Sequence, residues 1–203
     1  MRVSVVDERK RPLEEPWLVL IPGWTRERYL AEAPEMQFCE YEGGELAMHS
    51  PVRARHQQQV RFLTYLLGHH CSTRGGEVLN GPAVLQIAHD ILREPDIFVI
   101  PPERVPGMGD LPIVAVPSLI VEVISPSTRN LDLKTKADEY RALGVAEYWA
   151  VDDEKRELVA HWPRRVITTG ILESAALPGF RLTVDWLFQD PLPRETDCIR
   201  SQG

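Results

Sequence analysis

The sequence has few of the features of an exported or membrane-bound protein. Its three cysteines, Cys39, Cys71 and Cys198, contain no CxxC pair. An odd number of widely spaced cysteines argues against a disulfide framework and against a thiolate zinc site. The longest uninterrupted apolar run covers residues 17–21, whereas a helix needs about 20 apolar residues to cross a bilayer. The N-terminal residues mix acids, bases and proline without a signal-peptide core. These absences predict a cytoplasmic protein without a membrane span.

The sequence also lacks an excess of positive charge. It has 23 Lys and Arg against 30 Asp and Glu, which gives a net charge of -7. This is the wrong sign for a protein whose whole surface binds nucleic acid, although a local basic face is compatible with it. Its 203 residues, 43% of them hydrophobic and 26% charged, suit one globular domain. We predict an N-terminal arm over residues 1–23, the domain over 24–190 and a polar tail over 191–203.

Turn residues and apolar periodicity predict an α/β fold built from short strands and a few helices. Gly43 and Gly44 divide an alternating stretch and indicate a β-hairpin. Gly144 follows a helical pattern, where it is suited to end a helix. Helices are predicted from Thr25 to about Pro34, over residues 53–70 and over residues 131–143. Strands are predicted at residues 77–81, 83–88, 96–100, 119–124, 147–151, 157–162 and 180–184, and a proline-rich loop at 101–117.

Two acidic residues lie where strands normally carry apolar ones. Asp96 introduces the strand that follows Pro95, and Glu122 interrupts the apolar run of residues 119–124. Because burying an unpaired carboxylate is costly, Glu122 requires a cation, a proton or hydrogen-bond donors. A hard divalent ion, Mg²⁺ or Mn²⁺, is suited to carboxylates, carbonyl oxygens and water. Asp96 alone is equally explained as a cap of a turn, so the metal site depends on the pair.

A lysine follows on the next predicted helix. Asp132, Lys136 and Tyr140 are spaced four residues apart and therefore share one face of this helix. If that face leans over the ends of the strands, Lys136 reaches the two acids. There it can orient or help to deprotonate a metal-bound water and offset charge on a phosphate. The alternative is an exposed lysine that pairs with Asp132, and Tyr140 is predicted to be a core residue.

The order of these residues resembles the Uma2 family of endonucleases, which belongs to the restriction-endonuclease-like PD-(D/E)XK superfamily. The resemblance covers roughly residues 25–165. Its central motifs are Pro95-Asp96, the segment from Pro117 to Thr128 that contains Glu122, then Asp132, Lys136, Tyr140, Gly144-Val145 and Glu147-Tyr148-Trp149. Upstream, the matching residues are Glu40 ahead of Gly44-Glu45, the segment from Met48 to Pro51, and His56.

The resemblance implies a mixed central sheet flanked by helices, with Asp96 and Glu122 as metal ligands. The superfamily's usual lysine lies two residues after the second acid, where this sequence has Ile124. Lys136 on the following helix is the implied replacement. A backbone carbonyl near Val123 would complete the ligand set.

Two further residues are implied to close the site from the N-terminal side. Glu40 would act as an additional ligand or base, and His56 would contact a phosphate or a water. Without the resemblance, Glu40 is equally an acid on the surface of a hairpin. His56 is equally a histidine at the start of a helix.

We therefore predict a single restriction-endonuclease-like domain that hydrolyses phosphodiester bonds, with Mg²⁺ or Mn²⁺ as cofactor and DNA as partner. Two alternatives stay open: a catalytically inactive scaffold that keeps the fold, and an enzyme for another phosphoester. A homodimer is compatible with cutting both strands. DNA binding would require arginines to cluster on one rim of the site. The candidates are Arg53, Arg55, Arg61, Arg129 and Arg141.

Overall fold

A computed structural model describes residues 18–32, 39–125 and 128–202. The strands are β1 Leu18–Pro22, β2 Cys39–Glu42, β3 Glu45–His49, β4 Glu77–Asn80, β5 Leu85–Ala88, β6 Ile91–Arg93, β7 Ile97–Ile100, β8 Leu119–Val123, β9 Glu147–Asp152, β10 Glu157–His161, β11 Arg165–Ile167, β12 Ile171–Glu173 and β13 Arg181–Thr183. The helices are α1 Arg26–Glu32, α2 Ala54–Ser72, α3 Ala137–Leu143 and α4 Glu195–Gln202, with a π-helical segment at Leu131–Lys136 and 3₁₀ turns at Pro102–Gly107 and Val184–Phe188.

The larger sheet confirms the predicted mixed sheet flanked by helices. Its strand order is β11-β10-β9-β8-β7-β4, and only the β8–β9 pair is parallel among these neighbours. All residues of β8 and β9 are buried, as expected for central strands covered on both faces. Helix α2 packs on one face through Leu63 and Leu67. Helix α3 packs on the other through Ala137 and Tyr140.

A second sheet, in the order β1-β3-β2-β6-β5, adjoins the first and brings Glu40 to the site. Its β2–β3 connection is the predicted hairpin, with Tyr41 opposite Leu46. Gly43 and Gly44 both adopt positive φ angles, 54° and 96°, which tight hairpin turns require and glycine adopts without strain. A third sheet contains only β12 and β13.

The segment predicted as a single helix over residues 131–143 is π-helical up to Lys136 and α-helical from Ala137 onward. Gly144 ends it with a φ of 92°, as predicted. Short π-helical insertions are often found at functional sites, and this one contains both Asp132 and Lys136. The apolar period predicts the buried face correctly but contains no signal for the wider turns.

The segments near the two ends of the chain also contain regular secondary structure. Strand β1 lies within residues 1–23, and α4 lies within the segment predicted as a polar tail, where it buries Cys198. Residues 1–17 of the predicted arm and the predicted helix end near Pro34 lie outside the described residues. No helix within the described ranges is long and apolar enough to cross a membrane.

Candidate active site

All six residues predicted for the site line one cavity of about 210 Å³. The cavity lies where the start of β7 and the end of β8 meet β2, the first turns of α2 and the π-helical segment. The residues are Glu40, His56, Asp96, Glu122, Val123 and Lys136. Residues that are 80 positions apart in the sequence therefore meet because two sheets and two helices converge there.

The side chains of Asp96 and Glu122 each accept a hydrogen bond from the backbone of the neighbouring segment. The backbone N–H of Asp96 donates to Oε2 of Glu122 at 3.2 Å. The backbone N–H of Val123 donates to Oδ2 of Asp96 at 2.7 Å. These reciprocal bonds continue the antiparallel pairing of β7 with β8 through side chains instead of backbone carbonyls. The two side chains are thus fixed on neighbouring strand ends, and their role as metal ligands stays a prediction.

Glu122 is almost fully buried, and its Oε1 accepts two hydrogen bonds. Lys136 Nζ donates at 2.9 Å and the Tyr140 hydroxyl at 2.7 Å. Burial raises the pKa of Glu122 to about 8, against the opposing charge of Lys136 and with help from the nearby carboxylate of Asp96. Both the protonated and the ionised form of Glu122 are therefore accessible near neutral pH. Tyr140 is a core residue, as predicted, and its hydroxyl also contacts the site.

Lys136 is the central cation of the cavity. Its side chain is 5% exposed, and its Nζ lies 2.9 Å from Glu122 Oε1 and 3.0 Å from Glu40 Oε1. Asp132 Oδ1 is 3.7 Å away, so the i,i+4 pair exists, but it is buried and not on the surface. Although burial favours the neutral amine, the three carboxylates raise the pKa of Lys136 well above its usual value. The group stays an ammonium at neutral pH.

Glu40 is buried on β2 and stays ionised. Burial alone would raise its pKa, but Lys136, His49 and Arg93 hold that pKa well below the usual carboxyl range. Arg93 contacts Glu40 at 3.4 Å and donates two further bonds to Glu139, at 2.9 and 2.6 Å. This fork links β6 to α3 and fixes the second sheet against the site. Glu40 is therefore no surface hairpin acid.

His56 contacts Asp96 from the first turns of α2. Its Nε2 lies 3.1 Å from Asp96 Oδ2. Burial lowers the pKa of His56, but the hydrogen bond and charge of Asp96 together with the charge of Glu122 produce a net increase. The ring nitrogen thus lies within hydrogen-bond distance of the Asp96 carboxylate at the wall of the cavity.

Glu94 is a buried cavity residue that the sequence analysis did not single out. Its Oε2 accepts the N–H of Cys39 at 3.2 Å, and its Oε1 lies 3.1 Å from the Tyr29 hydroxyl, which donates to the Cys39 carbonyl at 2.7 Å. Burial raises the pKa of Glu94 to about 8. The Tyr29 hydroxyl has one hydrogen, which it donates to the Cys39 carbonyl. A protonated Glu94 can therefore donate its own hydrogen to the Tyr29 oxygen, which completes this chain of hydrogen bonds. Nothing in the sequence around Glu94 distinguishes it from an exposed acidic residue.

The buried Glu94 predicts a pH dependence of stability. Its pKa is about 8 in the folded state, against an ordinary value of 4.5. Between these values the folded protein keeps a proton that the unfolded chain loses, so the group's stabilising contribution decreases as pH rises from 5 to 8.5. The expected decrease is on the order of 2–4 kcal/mol. Urea unfolding at pH 5, 6.5 and 8.5 should show the full decrease in the wild type and in Glu103→Gln, which changes an exposed acid, and a smaller decrease in Glu94→Gln, where the raised pKa of Glu122 still contributes. Equal pH slopes in all three proteins would contradict the assignment.

The predicted arginine rim is only partly present. Arg53, Arg55 and Arg129 line the cavity. Arg55 pairs with Asp153 at 3.2 Å, and Arg129 pairs with Asp152, so their charge is partly offset. Arg61 lies in an adjoining groove. Arg141 is exposed on α3 and is not among the residues that line the cavity.

The donor atoms of the cavity fit a hard divalent cation that keeps much of its water. In the described ranges, no three His, Cys, Asp or Glu side chains are arranged to hold a metal ion. Mg²⁺, however, is commonly bound by only one or two carboxylates with waters. Asp96 and Glu122 supply two. The Val123 carbonyl points to the same side as its N–H, which faces Asp96, because both groups of a strand residue share one direction.

Comparison with known proteins identifies the family and confirms the fold. The model of the Uma2 family, described as "Putative restriction endonuclease", matches residues 26–185. The crystal structure of a "putative nuclease belonging to DUF820" from Anabaena variabilis is similar with a TM-score of 0.71 at 15% identity. The match covers 81% of this chain and 97% of that one. No curated protein matches the sequence significantly.

Proposed function

The chain belongs to the Uma2 family, and from this membership and the acidic cavity we propose that it is a metal-dependent endonuclease that hydrolyses phosphodiester bonds in DNA. The observation that carries the proposal is the reciprocal pair of Asp96 and Glu122. A protein with a purely structural role has no need for a buried and a half-buried carboxylate held on neighbouring strand ends.

The two acids are the proposed ligands of Mg²⁺ or Mn²⁺, together with the carbonyl of Val123. When bound, such an ion supplies a water of lowered pKa and stabilises negative charge on the phosphate. His56 holds Asp96 in its orientation through the 3.1 Å contact. Tyr140 does the same for Glu122 through its hydroxyl.

Lys136 acts as a hydrogen-bond donor in this proposal. Because neighbouring carboxylates keep it protonated, it cannot take a proton from the attacking water at neutral pH. Its ammonium instead orients that water and offsets charge on the phosphate. The sequence is compatible with either role, and the surrounding acids favour orientation of the water.

Glu40 is the proposed proton acceptor. It stays ionised, and its Oε1 lies 3.0 Å from Lys136 Nζ. A water held by Lys136 therefore lies within reach of Glu40. As the oxygen of this water bonds to phosphorus, its proton moves to Glu40, the bond from phosphorus to the leaving oxygen breaks, and that oxygen takes a proton from solvent.

A second candidate is a binding protein that keeps the nuclease fold without cleaving DNA. The observation that favours it is the direct Lys136–Glu122 pair at 2.9 Å, which satisfies Glu122 without any other cation. The net charge of -7 also favours it slightly. The two candidates differ in whether a divalent ion changes what happens to DNA.

The proposal is tested on a panel of DNAs with purified protein. Supercoiled plasmid and labelled duplex, single-stranded and branched oligonucleotides are incubated with Mg²⁺, Mn²⁺ or EDTA and resolved on denaturing gels. We expect cleavage of at least one DNA with either ion and none in EDTA. Tight DNA binding without cleavage under every condition would support the second candidate. Equal cleavage in EDTA would contradict the metal-dependent mechanism.

A further inference from the structure

A groove adjoins the active-site cavity on the outer side of α2. It has a volume of about 380 Å³ and shares Asp96 with the cavity. One wall is the face of α2 that carries Gln57, Arg61 and Tyr65 at intervals of four residues. The opposite wall is Asn80, at the end of β4. A chain bound at Asp96 therefore has a continuous path out of the cavity into this groove.

The interior of the groove is rigid and partly apolar. Val60 is buried in its floor. The Asn80 side chain donates to Thr64 Oγ1 at 2.8 Å and to the backbone carbonyl of Asp96 at 2.9 Å. These hydrogen bonds connect the Asn80 wall of the groove to Asp96, the proposed metal ligand. A molecule bound in the groove is therefore held at a fixed distance from the proposed metal site.

The groove carries an exposed aromatic ring and a cation. Tyr65 is 47% exposed although tyrosine is a large, mostly apolar side chain. The Arg61 side chain is 67% exposed, and its Nη1 lies 2.5 Å from Glu195 Oε1 on α4. This carboxylate holds the guanidinium beside the groove, and the guanidinium has further N–H donors for a second acceptor. An aromatic ring beside an arginine is the combination that binds single-stranded nucleic acid.

We propose that this groove binds an unpaired nucleotide next to the scissile phosphate, with Tyr65 stacked on its base and Arg61 on an adjoining phosphate. The inference rests on the proposed function, because it places the scissile phosphate at Asp96. From Gln57 to Tyr65 the helix rises about 12 Å. At roughly 3.4 Å per stacked nucleotide, that distance accommodates about three nucleotides.

The geometry favours an unpaired strand over a duplex. Stacking on Tyr65 requires a free base face, which neighbouring base pairs cover in a duplex. The substrate class is therefore single-stranded DNA, or branched DNA with an unpaired arm.

The test measures binding separately from cleavage. Fluorescence anisotropy in EDTA, where the proposed enzyme is inactive, compares a labelled 15-nucleotide single strand with the matching duplex. The variants are Tyr65→Ala, Tyr65→Phe and Arg61→Ala. His69→Ala is the matched control, because His69 is an exposed ring on α2 outside the groove. Circular dichroism melts establish that each variant is folded.

We expect the wild type to bind the single strand more tightly than the duplex. Tyr65→Ala should weaken single-strand binding by roughly tenfold, whereas Tyr65→Phe should keep it. Arg61→Ala should reduce the salt dependence by about one phosphate contact. His69→Ala should match the wild type. Tighter wild-type binding to the duplex, or unchanged single-strand binding in folded Tyr65→Ala, would overturn the subsite.

The cleavage panel separates this inference from the proposed function. If Tyr65 controls single-strand binding but no DNA is cleaved with any ion, the subsite stands and the nuclease fails. If DNA is cleaved but Tyr65→Ala binds the single strand as the wild type does, the nuclease stands and the subsite fails.

Discussion

Glu122→Gln is expected to reduce metal-dependent DNA cleavage by more than about 100-fold without unfolding the protein. Loss of residues that merely support metal ligands already lowers metal affinity or activity by roughly 10–100-fold, so loss of a ligand charge should exceed that. The glutamine Oε1 can still accept from Lys136 and Tyr140, although its amide nitrogen cannot accept the Asp96 N–H as Glu122 Oε2 does. The fold should tolerate a neutral group at position 122, because the pKa of Glu122 is already raised to about 8.

This prediction is measured as the initial rate of plasmid nicking at saturating Mg²⁺. Asp96→Asn should lose a similar factor, since it removes the other proposed ligand. Glu103→Gln, which changes an exposed carboxylate on the 3₁₀ turn, should keep the wild-type rate. Wild-type rates in folded Glu122→Gln and Asp96→Asn would remove these two acids from the mechanism.

Lys136→Met is expected to destabilise the fold by about 3–5 kcal/mol. The substitution keeps the volume of the side chain but leaves Glu122, Glu40 and Asp132 buried without their common cation. The measurement is the free energy of unfolding from urea titration at pH 7. Lys134→Met, on the same π-helical segment but exposed, should change it by less than about 0.5 kcal/mol.

A second substitution identifies the cause of that loss. If uncompensated negative charge destabilises Lys136→Met, adding Glu40→Gln should recover part of the lost free energy, because Glu40 is the buried carboxylate that stays ionised beside Lys136. Losses that simply add in the double variant would show that the charge of Glu40 is not the cause. A Lys136→Met protein as stable as Lys134→Met would contradict the central position assigned to Lys136.

The acids on the central strands could be predicted because their surroundings are local in sequence. Glu122 interrupts a strand whose other residues are apolar, and the structure buries every residue of that strand. The helical period placed Lys136 on one face with Tyr140 and Asp132, and the family resemblance assigned that face to the site. The π-helical turns were not predicted, but Asp132 and Lys136 both face the protein interior in them, as they would on one face of an α-helix.

The rest of the cavity depends on contacts between the two sheets. Glu40 was assigned to the site through the family resemblance, because its own hairpin carries no signal for burial. The forked bonds from Arg93 to Glu139 join residues 46 positions apart. Burial in that same sheet region raises the pKa of Glu94, against the hydrogen bonds with Tyr29 and Cys39, which lower it. Such pairs are set by tertiary packing, which no local pattern encodes.

Metal-dependent cleavage of DNA is the claim on which the proposed function depends, and one plasmid sample tests it directly. Purified wild-type protein is incubated with supercoiled plasmid in EDTA, excess Mg²⁺ is added midway, and aliquots are resolved by agarose electrophoresis. Nicked or linear plasmid should appear only after Mg²⁺ is added. Plasmid that stays supercoiled after the addition, or that is cut before it, would contradict the claim.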